Sequence, residues 1–419
     1  MADDEPLSSA LSTRANFKIH QVRNPSTGPQ ILAPPAAAPV PPPILGPISA
    51  FTGNWTGKGF NTIFRPDSAA TPTVFNPPII GSDNVLELNL TEEVLSFSAS
   101  LGSIPNRGSG PQADIFLNGI PYLQTINDVT TLPPTGIHFE PGLWLAVPAT
   151  TVPNEPFTLS RMASIPHGTT IVAQGIEIAS VAGGPRIDPV DITPFPGGNP
   201  GNKIRFASQT ATDNTTPRIP QDLTPFIAAG TITQKILDDP NEVLRIHIAN
   251  QNITHTTVIV TSTNPAAPLS GGPLRDGTPP PPIPPHFGGG PANIAFLEGI
   301  PNPPVSGDGP NAQAVQMDAI FWIETVAYEV NVPPLLAGAE PVTLHPITKN
   351  PVQPSFVASI PYMPGKKFAG GKVTVVTTQI QYTQKVMLNF FGLTWPHVSV
   401  ATLVPADPIV IPANLLPLT

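Results

Sequence analysis

Proline occurs 60 times in this 419-residue chain and glycine another 34 times, and residues that break helices at that density leave little room for long ones. What such a chain can still build is strands, joined by turns and extended loops. Only 11 % of the residues are charged and the mean hydropathy is close to neutral, at +0.07. That is too apolar for a chain that stays unfolded in water. The expected fold class is therefore all-β, many short strands joined by long proline-rich loops. A chain of this length can enclose both a core and a pocket.

The formal net charge is -9, and no basic run is longer than Lys366-Lys367. Phosphate backbones demand a basic stripe, so no nucleic-acid partner is expected. There is no cysteine, which removes disulfides, thiolate nucleophiles and cysteine-ligated zinc. Any metal must be reached through histidine, carboxylate or tyrosine, or must arrive inside a cofactor. The opening Met-Ala-Asp-Asp-Glu-Pro is acidic and leads into no apolar run, so neither a signal peptide nor a membrane partner is expected and the chain reads as cytoplasmic. The Asn-x-Ser/Thr triplets at Asn54, Asn89, Asn214 and Asn252 then carry no glycan meaning.

Residues 1–45 read as a flexible arm, because residues 33–43 are almost only Ala, Pro and Val and favour an extended polyproline conformation. Residues 46–410 read as the barrel domain and 411–419 as a tail. Period-two alternation is clearest at 85–90, where Leu86, Leu88 and Leu90 alternate with Glu87 and Asn89 as in a strand with one wet face. Residues 245–249 repeat it, with Ile246 and Ile248 inside and His247 on the polar face. Further strands are expected at 52–63, 94–100, 113–117, 136–148, 157–164, 170–178, 203–208, 253–262, 293–297, 319–330, 356–360 and 372–390. The best helix candidate spans 221–237, weakened by Gly230. A faint internal echo pairs Asn84-Val85-Leu86 with Glu242-Val243-Leu244, residues 116–121 with 296–301, and 163–167 with 358–362. It suggests related halves, 46–185 and 200–410, with insertions in loops such as 271–290.

The first strand carries Gly53-Asn54-Trp55-Thr56-Gly57-Lys58-Gly59, in which glycines allow sharp coiling at a barrel's closure and Trp55 plugs one end of the lumen. This resembles the opening motif of the nitrobindin family, lipocalin-like barrels that hold heme b. The segment Ile137-His138-Phe139-Glu140-Pro141-Gly142-Leu143-Trp144 looks like that family's central strand. It is followed by Met162-Ala163-Ser164-Ile165-Pro166-His167-Gly168. Residues 381–388 and then Trp395-Pro396-His397-Val398-Ser399-Val400-Ala401-Thr402-Leu403 resemble its last hairpin. The resemblance implies an all-β fold built on an antiparallel lipocalin-like β-barrel, enlarged or internally duplicated, and a heme b cofactor with His397 as the iron's axial ligand. Relative to the family's spacing one extra residue separates His397 from Ala401, which a β-bulge would absorb. Residues 179–371 have no counterpart.

On this reading His138 contacts the distal face or a propionate, and His167, in an Ile-Pro-His-Gly turn, sits at the pocket rim; both are candidate catalytic groups. Trp55 and Trp144 line the slot, and Tyr362, which the echo pairs with His167, is a fallback ligand. Glu140 and Glu324 flank aromatic residues and could each orient a histidine. No phosphate loop, dinucleotide fingerprint, Gly-x-Ser-x-Gly or His-Glu-x-x-His is present. The expected partner is thus a small molecule, either heme with a diatomic gas or a peroxide, in an enzyme of heme peroxidase or nitrogen-oxide isomerase type. Two alternatives stay open: a metal-free binder or cyclase for an apolar molecule in the same barrel, and a self-assembling structural protein whose arm and edge strands build a homo-oligomer.

Overall fold

The alternating segments become ten strands, each paired antiparallel with the next in sequence, and the last pairs with the first, so the sheet closes into an up-and-down barrel. The structure, a computed structural model, describes residues 44–79, 81–108, 110–152, 154–165, 169–264 and 312–419. The arm up to residue 43, His167, the loop 271–290 and the segment 293–301 lie outside them. The barrel strands are β1 (Gly53–Pro66), β2 (Asn84–Phe97), β3 (Ile115–Asp128), β4 (Thr135–Val147), β5 (Thr158–Ile165), β6 (Thr169–Ala182), β7 (Ile253–Ser262), β8 (Gln313–Val332), β9 (Gly371–Phe390) and β10 (Leu393–Pro405). Residues 85–90 and 94–97 prove to belong to one continuous strand, β2, which stops short of 98–100.

The two glycines of the opening motif serve the seam. A methyl group at Gly57 would sit 1.9 Å from the Thr402 carbonyl oxygen, and one at Gly59 2.1 Å from that of Val400. Only a residue without Cβ lets the β10 backbone come this close to β1. Trp55 is buried and belongs to an aromatic plug with Phe51, Phe97, Trp144 and Phe321. Phe51 stacks on Phe97 at 4.9 Å between ring centroids and meets Trp144 edge-on at 5.4 Å. Apolar packing and ring geometry together close this end of the lumen.

Between β6 and β7 the chain leaves the barrel and lays three short helices on its outside: α1 (Thr224–Ala229), α2 (Gln234–Asp238) and α3 (Asn241–Ile248). Gly230, at φ +71°, ends α1, so the single helix expected over 221–237 is two. Residues 245–249 are helical rather than a strand. Their local alternation gives way to a helical stripe in which Val243, Leu244 and His247 face inward while Ile246 stays 43 % exposed. Residues 203–208 are extended without a ladder and end in a 3-10 turn at Ala207–Gln209. The echoed triplets therefore fall in a strand and a helix, which is no structural repeat. Arg218 ties the insertion down by donating to the carbonyls of Ser208, Thr210, Asp213, Pro220 and Gln221.

This insertion covers apolar side chains that point away from the lumen. Phe60, Phe64, Leu86, Leu88, Trp322, Val398 and Val400 pack there against Ile236, Leu237, Val243 and Leu244. A third cluster sits where β8 and β9 outrun their neighbours. Val326, Tyr328, Val330 and Val332 pack against Phe356, Phe368, Ile411 and Leu416. Ile409–Val410 pairs in parallel with Phe356–Ala358, so the chain end at 411–419 is built into this lobe. Among the described residues no helix is long and apolar enough to cross a membrane.

Candidate functional site

Because side chains alternate along a strand, each wall of the lumen is set by one parity. On β1 it is Asn61 and Ile63, on β2 Glu87, Asn89 and Glu93, on β4 His138 and Glu140, on β9 Tyr382 and Gln384, and on β10 His397 and Ser399. At the end away from the aromatic plug these side chains except Glu93 and Glu140, with Gln124, Ile126, Gly136 and Ile137, enclose an open cavity of about 370 Å³. The volume falls within the range of about 300–1,000 Å³ usual for small-ligand sites.

His397 lines this cavity. The pairing of β10 with β9 runs without a shift from Phe390↔Leu393 to Ile380↔Leu403, and its pairing with β1 is equally regular. The extra residue is therefore absorbed without a bulge. His397 and Ala401, four residues apart, share the lumen face. His138 lines the cavity from β4, four strands away round a ring of ten, and so from a nearly opposite wall.

Beneath His138 lies a buried ionic cluster. The imidazole Nε2 is 3.1 Å from Glu140 Oε2, a geometry that the His-x-Glu spacing on one strand face makes natural. Glu140 is fully buried, and its other oxygen accepts from the Arg161 guanidinium at 2.6 Å and from the Tyr122 hydroxyl. Burial alone would raise the Glu140 carboxyl, but Arg161, with His138 and Tyr122, outweighs it and holds the group down at about 2. Arg161 also donates to Tyr122 at 3.0 Å and to Gln384 at 2.7 Å. Its guanidinium lies over the rings of Tyr122, Trp144 and Phe321 at 5.5 to 5.9 Å. A permanent cation in an aromatic box is thus matched to a permanent anion.

A second buried carboxyl stands next to it with the opposite fate. Glu93 accepts from the Tyr382 hydroxyl at 2.7 Å and from Gln124 Nε2 at 3.1 Å; Gln124 also donates to Tyr382 at 3.1 Å. Thr91 Oγ1 donates to its other oxygen at 3.4 Å. Among the described residues no cation forms a salt bridge with it, and burial pushes its carboxyl up to about 7 despite these hydrogen bonds. Two buried carboxyls on β2 and β4, either side of β3, one held ionised and the other poised near neutrality, are an arrangement suited to moving protons.

No family model matches the chain, and no curated protein or solved structure is significantly similar to it. What the site can do must come from its own geometry.

Of the residues singled out in the sequence, His138 and His397 come together at one cavity. Trp55 and Trp144 lie below it in the plug. Tyr362 does not join them: it is 77 % exposed, packed against Gly338 in the lobe outside the barrel, and is therefore corrected as a ligand candidate. Glu140 orients a histidine, as its position suggested. Glu324 instead faces outward and accepts from Gln379 at 2.6 Å; burial pushes it up to about 8. Arg161, Glu93, Tyr122, Gln124 and Tyr382 were not foreseen. Arg161 had a visible signal: a lone cation inside Thr158–Ile165, otherwise an uncharged strand.

Proposed function

We propose that the barrel binds heme b in the open cavity, with His397 as the axial donor. The observation that carries this reading is that His397 lies on the lumen face of β10, in unbroken register, at the wall of a ligand-sized cavity. The donor set fits the group. A bare metal ion needs several protein ligands at once, and among the described residues no group of three or more His, Asp or Glu could hold one. A tetrapyrrole brings its own four nitrogens and asks the protein for a single imidazole.

Bound heme would supply an iron centre for peroxide, oxygen or nitrogen-oxide chemistry. The chain's own contribution is then divided between walls. His397 holds the group, and His138, aimed by Glu140, accepts or donates a proton from nearly across the lumen. Arg161 keeps Glu140 ionised, which fixes the His138 proton on Nε2, the atom facing the carboxylate. The resemblance to nitrobindins in the opening, central and closing strands supports the same choice of ligand.

A second reading, a metal-free small-molecule binder, is favoured by one observation: the cavity wall carries Asn61, Asn89, Gln124, Gln384 and Ser399, a polar set for a porphyrin slot. Hemin titration separates the two. The heme reading expects a Soret band that shifts on binding with a stoichiometry of one, lost or displaced in His397→Ala. A spectrum identical to free hemin, or unchanged by the substitution, overturns it. Binding of a small polar ligand that hemin fails to displace would then leave the metal-free binder.

A further inference from the structure

The floor of the cavity contains a donor whose availability depends on one proton. When Glu93 is ionised, its Oε2 takes the Tyr382 hydroxyl hydrogen and one Gln124 amide hydrogen, while the second Gln124 hydrogen goes to Tyr382 Oη. Every hydrogen in the cluster is then committed, because a carboxylate can only accept. When Glu93 is protonated, its own O–H reaches Tyr382 Oη across the same 2.7 Å. The phenolic hydrogen is thereby released, and Tyr382 is a cavity-lining residue.

We propose that Tyr382, backed by Glu93 and Gln124, is a hydrogen-bond donor to the carboxylate of an organic ligand in the cavity, and that it serves only while Glu93 carries its proton. The carboxylate can belong to a tetrapyrrole or to a separate small organic acid. The buried position of all three side chains strengthens the bond, since a donor aimed at an anion is worth most where water is excluded. Ionisation of Glu93 removes that donor and places a like charge beside the ligand.

The charged and titratable groups facing this cluster are few. Gly57 and Gly59 of β1 lie opposite Glu93 and Thr91 and bring no charge. From β3, β4 and β5 come Tyr122, His138, Glu140 and Arg161; Glu140 and Arg161 balance each other. His138 also acts on Glu93, and Glu87 and His397 face the same cavity from β2 and β10.

Benzoate, ionised throughout, is the probe, with affinity to the full chain read by calorimetry at pH 5.5 and 8.5. The expected result is at least a ten-fold loss of affinity at the higher pH. Glu93→Gln should bind benzoate at pH 8.5 as tightly as the unaltered chain does at 5.5, and Tyr382→Phe should bind weakly at both. Retention of wild-type affinity in Tyr382→Phe, or absence of benzoate binding at pH 5.5, overturns the proposal. So does a pH dependence that survives in Glu93→Gln, which assigns it to another group of the cavity wall. Repeating the titration with hemin present distinguishes the sources: displacement of benzoate assigns the subsite to a carboxylate sharing the tetrapyrrole's space, and simultaneous binding assigns it to a separate acid. His397 is untouched throughout, so failure of this donor and failure of the heme reading are separate results.

Discussion

Replacing Arg161 by methionine tests the lumen at its most demanding point. The methionine keeps much of the apolar stem and its packing on Trp144 and Phe321 but removes the guanidinium. Lost with it are the bonds to Glu140 at 2.6 Å, Gln384 at 2.7 Å and Tyr122 at 3.0 Å. Glu140 is 0 % exposed, so its charge would stay buried with only His138 and Tyr122 as partners. Removing one member of a buried ion pair typically costs about 3–5 kcal/mol. Urea unfolding at pH 7, followed by tryptophan fluorescence, should show a loss of that size. Arg161→Met/Glu140→Met should be less damaging than the sum of the single changes, with a coupling of about 1–3 kcal/mol. The sign with pH is also fixed. Glu140 has its folded-state pKa depressed to about 2, so the stability it contributes is present above the ordinary carboxylate range and is lost as pH falls toward 2. In Arg161→Met the acid limb of the stability profile should move upward. A loss under about 1 kcal/mol with strictly additive single changes would refute the ion-pair reasoning, since an uncompensated buried charge cannot be that cheap.

Glu324 carries the opposite sign: its pKa is raised to about 8 by burial, so its stabilising effect is complete below the ordinary carboxylate range and is lost as pH rises through about 8. Thermal melts should show Glu324→Gln gaining on the unaltered chain at pH 9 but not at pH 5; an equal difference at both would rule out ionisation as the cause. Gly57→Ala forces a methyl group to 1.9 Å from the Thr402 carbonyl oxygen, and the β1–β10 seam should give way, with loss of more than about 3 kcal/mol in urea unfolding. A near-neutral Gly57→Ala would show that the seam has slack the structure does not display.

Much of the barrel was legible. The strands expected at 85–90, 136–148 and 319–330 are real, and the glycine-tryptophan opening marked the seam where β10 closes on β1. The extents were not legible, because β8 and β9 run for 20 residues each and outlast any local pattern. Residues 245–249 misled because five residues of alternation also fit a helix whose remaining contacts, Val243 and Leu244, lie upstream. At the site, His138, Glu140 and His397 could be chosen from motif and spacing. Glu93, Tyr382 and Gln124 could not, since Tyr382 on β9 reaches β2 and β3 only across the lumen of the closed barrel: Gln124 and Tyr382 are 258 residues apart.

The polarity of β2 was read correctly and placed on the wrong side. Leu86 and Leu88 do share one face and Glu87 and Asn89 the other, as alternation requires, but the polar face lines the cavity and the leucines point out of the barrel. An isolated barrel could not do this, because its outer face would then meet water. The insertion between β6 and β7 makes it feasible, since α2 and α3 bury the leucines with Trp322, Val398 and Val400. Outer-face polar groups are drawn into the same layer: Thr402 meets His247 Nδ1 at 2.9 Å, and Gln381 donates to the Leu244 carbonyl at 3.1 Å. The lumen is thereby released from serving as the main hydrophobic core at this end. It can carry ionised Glu140, a buried Glu93 and two cavity-lining histidines because burial of apolar surface, the dominant favourable term in folding, has been moved to the outside of the sheet. The insertion between β6 and β7 is what allows this barrel a polar interior.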